Sequence, residues 1–389
     1  SRKLYSAETP HITVYDRHAT FVGPRRIRTG QGDEEMEITA DQIIVAAGSR
    51  PHVPSFIKEA GVPYLTNENV MRLEKLPEEM IILGGGFIAT EFAHVFSSLG
   101  TKVHVIVRSG AMNRSSDEQV SQRFTEVASR AWDVRLNTQI DEVSEESGRV
   151  VAKLSDGTTV TGDAFLVATG RLPNGDEMNL ATGGIDMHDD GRIVVDEHGR
   201  TTAEGVWALG DVSSEHQLKH IANHEAKVVF HNVLAARGEG AEGEGAGDAA
   251  GAGDSARAGD LRSFDHRFIP SAVFSHPQIG QVGMTEGEAA AWAAENGTEI
   301  TVKVQNYGDV AYGWALEDRD GFAKLIADKK TGKLLGAHFI GDQVASLVQQ
   351  CIQMMAFDLD AREVAAKQHW IHPALPEVIE NALLGLEFD

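Results

Sequence analysis

The stretch from residue 80 to residue 107 reads MIILGGGFIATEFAHVFSSLGTKVHVIV and decides the fold of the region around it. It contains the apolar run Ile81–Leu83, three glycines, a helical pattern over Phe87–Leu99 and a second apolar run, Val103–Val107. Strand, tight turn, helix and strand in this order form a βαβ unit. We therefore predict a parallel α/β domain over about residues 76–172.

The glycine turn in this unit fits the pattern G-x-G-x-x-A, with Gly84, Gly86 and Ala89 at the fixed positions. In such a turn, backbone N–H groups and the helix dipole hold a pyrophosphate. A glycine-rich turn can also be a plain tight turn, but here the preceding strand and the following helix meet the structural requirement of the motif. The pattern predicts a dinucleotide site.

Two arginines after the second strand indicate which dinucleotide binds. An acidic residue at this strand end would accept a hydrogen bond from a ribose 2′-hydroxyl, whereas arginine pairs with a 2′-phosphate. Arg108 stands at the strand end, and Arg114 follows after a short loop. Two guanidinium groups suit a doubly charged phosphate. We predict NADPH rather than NADH, with two solvated surface arginines as the alternative.

Size and charge limit the classes of function. The chain is long enough for roughly two or three domains, and its 35 basic and 58 acidic residues give a formal net charge of −23. This charge disfavours binding to nucleic acid or anionic lipid and favours a small-molecule ligand. No apolar run approaches the roughly 20 residues of a membrane helix, and residues 1–10 carry no signal-peptide pattern. We expect a cytoplasmic protein.

The sequence has a single cysteine, Cys351, which lies in an apolar stretch. A cysteine in such a setting is more often a buried core thiol than a reactive one. One cysteine forms no intrachain disulfide, no cysteine-rich metal site and no redox-active dithiol. We therefore expect none of these, and no metal site, in the chain.

Other patterns outline the remaining elements. Strand candidates occur at His11–Tyr15, Glu35–Ala40, Gln42–Ala46, Val150–Leu154, Ala164–Ala168, Phe268–Phe274, Ile300–Val304, Phe322–Asp328 and Lys333–Ile340. Helix candidates occur at Glu118–Arg130, Val344–Phe357 and Ala361–Lys367. Strands followed by helices predict a compact α+β domain near the C-terminus. Residues 238–259 contain no aromatic or β-branched residue and predict a disordered surface loop.

Three further segments end in a glycine turn. Ile43–Pro51 and Phe165–Asn174 both read as buried strands that lead into such a turn, and Thr202–Asp211 ends in Gly210 and Asp211. A carboxylate at a strand end can accept hydrogen bonds from sugar hydroxyls in a site shielded from water. A Gly-Asp pair alone is a common turn, so its meaning depends on the segments around it.

A histidine and a glutamate lie five positions apart near the C-terminus. His372 and Glu377 are separated by a segment that contains Pro373 and Pro376, which fix the backbone. This spacing can bring the carboxylate to one ring nitrogen, which would set the tautomer and raise the basicity of the other nitrogen. The pair is a candidate general acid and base, with a purely structural histidine as the alternative.

Together these motifs resemble the pyridine nucleotide–disulfide oxidoreductase family of glutathione reductase and dihydrolipoamide dehydrogenase, over essentially the whole chain. The first two glycine-ended strands resemble crossovers between the FAD and NADPH domains, and Thr202–Asp211 resembles the second flavin signature. The resemblance implies an α/β two-dinucleotide-binding flavoprotein with a C-terminal α+β dimerisation domain. The implied limits are a partial FAD domain at 1–75, a Rossmann-like NADPH domain at 76–172, a return to the FAD domain at 173–237, a low-complexity loop at 238–262 and the dimerisation domain at 263–389.

The resemblance also implies a homodimer in which NADPH reduces FAD, FAD reduces a Cys-x4-Cys disulfide, and the dithiol attacks a small-molecule disulfide. The partner subunit's His372 would protonate the leaving thiolate, and Glu377 would orient that histidine. The positions that match NADPH-contacting residues are Phe87 over the nicotinamide pocket, Glu91 beside it, Gly170 and Arg171. Those that match FAD-contacting residues are Gly48, Gly210, Asp211 and, through its backbone, Lys219.

Three stretches, residues 218–226, 307–318 and 370–386, carry a closer resemblance to the mycothione reductase branch of this family. The resemblance implies that the substrate is mycothione, the disulfide of mycothiol. The first flavin motif and the Cys-x4-Cys segment do not occur in the 389 residues, and a chain complete as given is expected not to reduce disulfides.

Two alternatives stay open. One is an NAD-dependent dihydrolipoamide dehydrogenase, which Arg108 and Arg114 disfavour. The other is a non-catalytic, NADPH-binding, dimerising protein, which the lack of a dithiol favours and the His372–Glu377 pair disfavours.

Overall fold

The computed structural model describes residues 11–30, 32–238 and 260–389, so the predicted disordered loop lies outside the described residues except for Gly238. Within these residues the strands are β1 (Ala19–Gly23), β2 (Arg26–Thr29), β3 (Met36–Thr39), β4 (Ile43–Val45), β5 (Ser49–Pro51), β6 (Glu79–Leu83), β7 (Lys102–Ile106), β8 (Asp133–Arg135), β9 (Ile140–Glu146), β10 (Arg149–Leu154), β11 (Thr159–Gly162), β12 (Ala164–Val167), β13 (Arg171–Pro173), β14 (Val206–Ala208), β15 (Pro270–Val273), β16 (Gln278–Gly283), β17 (Ile300–Asn306), β18 (Phe322–Asp328) and β19 (Leu334–Gly341). The α-helices are α1 (Ser55–Ala60), α2 (Phe87–Ser98), α3 (Glu118–Ala131), α4 (Lys219–Ala236), α5 (Glu286–Asn296), α6 (Ala311–Ala315), α7 (Val344–Ala356), α8 (Ala361–Lys367) and α9 (Glu377–Leu384). Among these described helices, none combines the length and the apolar composition needed to cross a bilayer.

The chain divides into two compact units, each made of two separate stretches of sequence. Unit 1 comprises residues 1–50 and 171–266, and unit 2 comprises residues 51–170 and 267–389. The first two crossings between the units fall inside the glycine-ended segments at residues 43–51 and 165–174. The domain limits drawn from the sequence stay predictions.

Unit 1 holds three small groups of strands. Strands β1, β2 and β3 form an antiparallel sheet, β4 runs parallel to β14, and β5 pairs with β13. The strands predicted at residues 35–40 and 42–46 are confirmed as β3 and β4. The strand predicted at His11–Tyr15 is wrong, because these residues are exposed and the first strand begins at Ala19. The charged residues that follow include the antiparallel pair β2 and β3, in which Arg28 lies opposite Glu37 and forms an ion pair with it.

The first half of unit 2 is built on a four-stranded parallel sheet with the order β12-β6-β7-β8. The predicted βαβ unit is confirmed as β6, α2 and β7. Met80 and Ile82 of β6 share a buried cluster with α2 and α3, whereas Ile81 packs with the antiparallel sheet β9-β10-β11. Both faces are therefore covered, as a parallel sheet requires.

The second half of unit 2 is an antiparallel sheet with the order β15-β16-β19-β18-β17, covered by helices. The predicted C-terminal α+β fold is confirmed, and Cys351 of α7 is fully buried in its core. Phe322 and Ile340 of this sheet belong to the same buried cluster as Met80. The parallel sheet and the antiparallel sheet of unit 2 therefore share a core.

Candidate active site

The glycine turn between β6 and α2 has the geometry that the sequence predicts. Gly84 has a φ of +137°, and a Cβ added there would lie 2.2 Å from the carbonyl oxygen of Ala168, so this position requires glycine. A Cβ on Gly86 would meet nothing within 4 Å, which leaves the turn open in front of the helix. No side chain caps α2 and its first turn has no acidic residue, so the leading N–H groups are available to an anion. Ala89 is fully buried beneath the turn.

The loop that carries the two arginines is attached to this turn. The N–H of Asn113 donates to the carbonyl of Gly85 at 2.7 Å, and Asn113 Nδ2 donates to Thr90 Oγ1 of α2 at 3.0 Å. Arg108 and Arg114 are exposed, and neither pairs with an acidic side chain among the residues that the structure describes. Two uncompensated guanidinium groups thus flank a loop that is hydrogen-bonded to the glycine turn.

Phe87 and Glu91 both lie on the first turns of α2. The Phe87 ring is about half exposed, and Glu91 Oε1 accepts a hydrogen bond from the backbone N–H of Phe274 at 2.9 Å. Phe274 is itself largely exposed. Sequence reasoning missed this contact, because nothing in the local pattern links α2 to the end of β15.

The second predicted site lies in unit 1, around Asp211. Ser49 Oγ donates to Asp211 Oδ2 at 2.7 Å and accepts from Arg171 Nε at 2.7 Å, while Arg171 Nη2 donates to the Ser49 carbonyl. The other carboxylate oxygen, Oδ1, makes no hydrogen bond within the described part of the chain. The carboxylate is therefore oriented on one side and open on the other. Arg171 contacts this predicted FAD residue, whereas its assignment to NADPH stays a prediction.

Three of the remaining predicted cofactor residues, Gly48, Gly170 and Gly210, form hydrogen bonds through their backbone. Gly48 accepts from the N–H of Asn174, and Gly170, at a φ of +128°, accepts from the N–H of His52 in unit 2. Gly210 has a φ of +72° and donates its N–H to Glu225. Lys219 is the exposed first residue of α4. Ser49 and Glu225 were not predicted as site residues.

The predicted histidine–carboxylate pair is formed. Glu377 Oε1 lies 2.7 Å from His372 Nδ1, and Oε2 accepts the N–H of Ala374 at 3.1 Å. The Glu377 side chain is largely buried, whereas that of His372 is 69% exposed. Burial raises the pKa of Glu377, but the hydrogen bonds from His372 and Ala374 outweigh it and lower the pKa below its usual value. Because an ionised carboxylate can only accept, Nδ1 carries the proton, and Nε2 makes no hydrogen bond within the described part of the chain.

Comparison with known proteins gives the family. The sequence matches the family description "Pyridine nucleotide-disulphide oxidoreductase" over residues 4–240 and its dimerisation domain over residues 269–383. It is 46% identical to mycothione reductase of Mycobacterium tuberculosis, across 98% of this chain and 79% of that protein. It is 29% identical to a dihydrolipoyl dehydrogenase of Synechocystis, across 92% of this chain and 73% of that one.

Solved structures agree with the sequence comparison. The HOCl-induced flavoprotein disulfide reductase RclA from Escherichia coli, solved as a Cu(II) complex, superposes with a TM-score of 0.82 at 26% identity, covering 97% of this chain and 80% of that one. The predicted α/β flavoprotein fold with its dimerisation domain is confirmed, as is the resemblance to mycothione reductase. The chain belongs to the pyridine nucleotide-disulphide oxidoreductase family, the flavoprotein disulfide reductases.

Proposed function

We propose that the protein uses NADPH and FAD to reduce mycothione to mycothiol, as a cytoplasmic homodimer that maintains thiol redox balance. The observation that carries the catalytic part is the exposed His372 ring held by the ionised Glu377. The choice of mycothione rests on the 46% identity to a mycothione reductase.

The residues of the glycine turn and its loop fit NADPH. The open face of Gly86 and the uncapped start of α2 suit a pyrophosphate, and Arg108 and Arg114 supply positive charge for a 2′-phosphate. Phe87 and Glu91 lie on the first turns of the same helix, where they would flank the nicotinamide. Gly170 and Arg171 complete the proposed NADPH residues.

The residues around Asp211 fit FAD. Ser49 and Arg171 fix one oxygen of the carboxylate and leave the other available to the hydroxyls of a ribityl chain. Gly48, Gly210 and the backbone of Lys219 would line the same cofactor. When bound, FAD supplies the two-electron step between a nicotinamide and a disulfide.

His372 would manage the proton at the disulfide. With Nδ1–H held by the carboxylate, Nε2 would first take the proton of the attacking thiol, and the imidazolium so formed would then deliver that proton to the leaving thiolate. The single thiol of these residues, Cys351, is fully buried, and burial raises its pKa to about 12. Cys351 is therefore unsuited as the attacking thiolate.

A homodimer is supported by the match to a dimerisation domain and by large exposed apolar side chains within it. Trp314 and Ile371 are each 75% exposed, and Ile371 immediately precedes His372. Exposed aromatic and aliphatic groups of this size are typical of protein interfaces. In the proposed dimer, the partner subunit's His372 completes the site.

The test is a steady-state substrate panel with the full-length protein, using mycothione, glutathione disulfide and lipoamide with NADPH and with NADH. We expect the highest kcat/KM with mycothione and NADPH. Faster turnover of glutathione disulfide would reject the substrate, and faster turnover with NADH and lipoamide would favour a dihydrolipoamide dehydrogenase. A protein inactive with all three would favour a non-catalytic, NADPH-binding dimer.

A further inference from the structure

Glu225 of α4 is a buried carboxylate to which the proposed mechanism assigns no role. Its side chain is 1% exposed, and both of its oxygens are engaged within unit 1. Oε2 accepts the backbone N–H of Gly210 at 2.7 Å, and Oε1 lies 2.9 Å from Nε2 of His266. A carboxylate removed from water is costly unless it is hydrogen-bonded and its charge is balanced. Gly210 and His266 therefore engage both oxygens of the Glu225 side chain.

The Gly210–Asp211 turn is consequently held from two directions. The side chain of Glu225 accepts a hydrogen bond from the N–H of Gly210, a residue whose φ of +72° places it in the left-handed region. Ser49 donates a hydrogen bond to the carboxylate of Asp211 and itself accepts one from Arg171. A change at Glu225 therefore acts on the residue that precedes Asp211.

His266 is fixed in its place beside Glu225 by aromatic neighbours. Its ring stacks on Phe264 with centroids 5.5 Å apart and meets His216 edge-on at the same distance. The N–H of Phe264 donates to the carbonyl of Glu197, which attaches this segment to the rest of unit 1. These contacts hold the imidazole in position beside the buried carboxylate.

We propose that Glu225 is a positioning residue for the flavin: it holds the Gly210–Asp211 turn, and Nε2 of His266 engages its second carboxylate oxygen. The inference rests on the proposed function, because Asp211 is a flavin contact only there. Glu225 does not touch the cofactor and acts through the backbone of Gly210.

The experiment measures the dissociation constant of FAD by titrating the full-length apoprotein and following flavin fluorescence. Glu225→Ala is expected to raise this constant about tenfold or more, because the hydrogen bond that holds the buried N–H of Gly210 is lost. Glu225→Gln keeps an acceptor oxygen at the same reach and is expected to stay within about threefold of the unsubstituted protein. His266→Phe keeps a ring beside Phe264 but removes Nε2, and is expected to raise the constant.

Asn232→Ala is the matched control. Asn232 is fully buried on the same helix, and its side chain donates to the carbonyls of His198 and Arg262 and accepts the N–H of Arg262. Its loss should lower the thermal unfolding temperature as Glu225→Ala does, while FAD affinity stays within about threefold of the unsubstituted value.

Two results would overturn the inference: equal FAD affinity in Glu225→Ala and the unsubstituted protein, or an equal loss in Glu225→Ala and Asn232→Ala. Unsubstituted protein that takes up no FAD would overturn the proposed function, and the inference with it. Normal FAD binding with normal affinity in Glu225→Ala overturns the inference alone.

Discussion

Glu377 joins two parts of the same turn, because one carboxylate oxygen holds Nδ1 of His372 at 2.7 Å and the other holds the N–H of Ala374. The imidazole therefore has a fixed orientation, although its ring is mostly exposed. Glu377 is also the first residue of α9, where the helix dipole favours a negative charge. The geometry makes Glu377 the support and His372 the exposed working group.

Substitutions of His372 and of Glu377 should both lower turnover, and the substitution of His372 should lower it more. His372→Ala removes the proton donor and is expected to lower kcat with mycothione by about 10²- to 10⁴-fold. Glu377→Gln keeps a hydrogen-bond acceptor but loses the charge, and we expect a smaller decrease, about tenfold. Steady-state kinetics with NADPH held at saturation measure both. Unchanged kcat in His372→Ala would remove this residue from the mechanism.

The two arginines of the loop should control coenzyme choice. Each of Arg108→Ala and Arg114→Ala is expected to raise the KM for NADPH about tenfold or more, because a charge-assisted contact to the 2′-phosphate is lost. The KM for NADH should barely change. Arg72→Ala is the control, since Arg72 is also exposed in unit 2 but lies outside the loop. A parallel rise for NADH and NADPH would contradict the assignment of these side chains to the phosphate.

Two glycines of the same turn should respond differently to an added methyl group. Gly84→Ala places Cβ 2.2 Å from the Ala168 carbonyl at a positive φ, and we expect unfolding to become easier by about 2 kcal/mol or more. Gly86→Ala meets nothing within 4 Å at a φ of −90°, so its free energy of unfolding should stay within about 1 kcal/mol. NADPH affinity should nevertheless fall about tenfold, or about 1.4 kcal/mol, in Gly86→Ala. Denaturant unfolding and NADPH titration separate the two effects, and an unchanged NADPH affinity in Gly86→Ala would place the pyrophosphate elsewhere.

A buried lysine joins the two halves of unit 2. Lys324 of β18 is 3% exposed, and its Nζ lies 2.7 Å from both Asp117, the cap of α3, and Glu286 of α5. Lys324→Met leaves Asp117 buried without its partner, and we expect a loss of about 3 kcal/mol or more. Lys102→Met, which breaks an exposed pair with Glu79, should cost less than about 1 kcal/mol. Adding Asp117→Asn to Lys324→Met should restore part of the stability. A double variant with a lower free energy of unfolding than Lys324→Met would contradict this explanation.

The pH dependence of the same pair follows from Asp117. Burial raises the pKa of this carboxyl, but the hydrogen bonds from Lys324 and from the N–H of Glu286 outweigh it and lower the pKa below its ordinary value of 3.8. A carboxyl with a lowered folded-state pKa stabilises the fold above its unfolded pKa, and this stabilisation is lost as the pH falls through the folded value. The stability difference between the unsubstituted protein and Lys324→Met should therefore be full near neutral pH and shrink in acid. Urea unfolding at several pH values measures it.

Local sequence patterns predict the helices and strands whose apolar residues recur at short intervals. They do not predict contacts between positions that are far apart in the sequence. The βαβ unit around Gly84 and the strand Phe322–Asp328 are confirmed, because apolar periodicity and glycine turns are local signals. The link between Ser49 and Asp211 spans 162 positions, and no periodicity reports it. Strands β9 and β11 were missed because their exposed polar residues hide the buried face.

Glu225 illustrates a second limit. It lies in the segment from residue 218 to residue 226 that resembles mycothione reductase. A glutamate on a helix is nevertheless expected to be exposed to solvent. Its partners Gly210 and His266 lie 15 positions before it and 41 positions after it. Only the folded chain brings these three residues together.

The most direct test of the account is a single-turnover measurement. Full-length protein is reduced anaerobically with one equivalent of NADPH and mixed with mycothione or with glutathione disulfide, and the thiol that each substrate releases is measured in samples quenched at successive times. We predict that mycothione releases thiol at least about 10²-fold faster than glutathione disulfide does. NADPH that the protein does not oxidise, or a reduced protein that releases no thiol from mycothione, would contradict the proposed function.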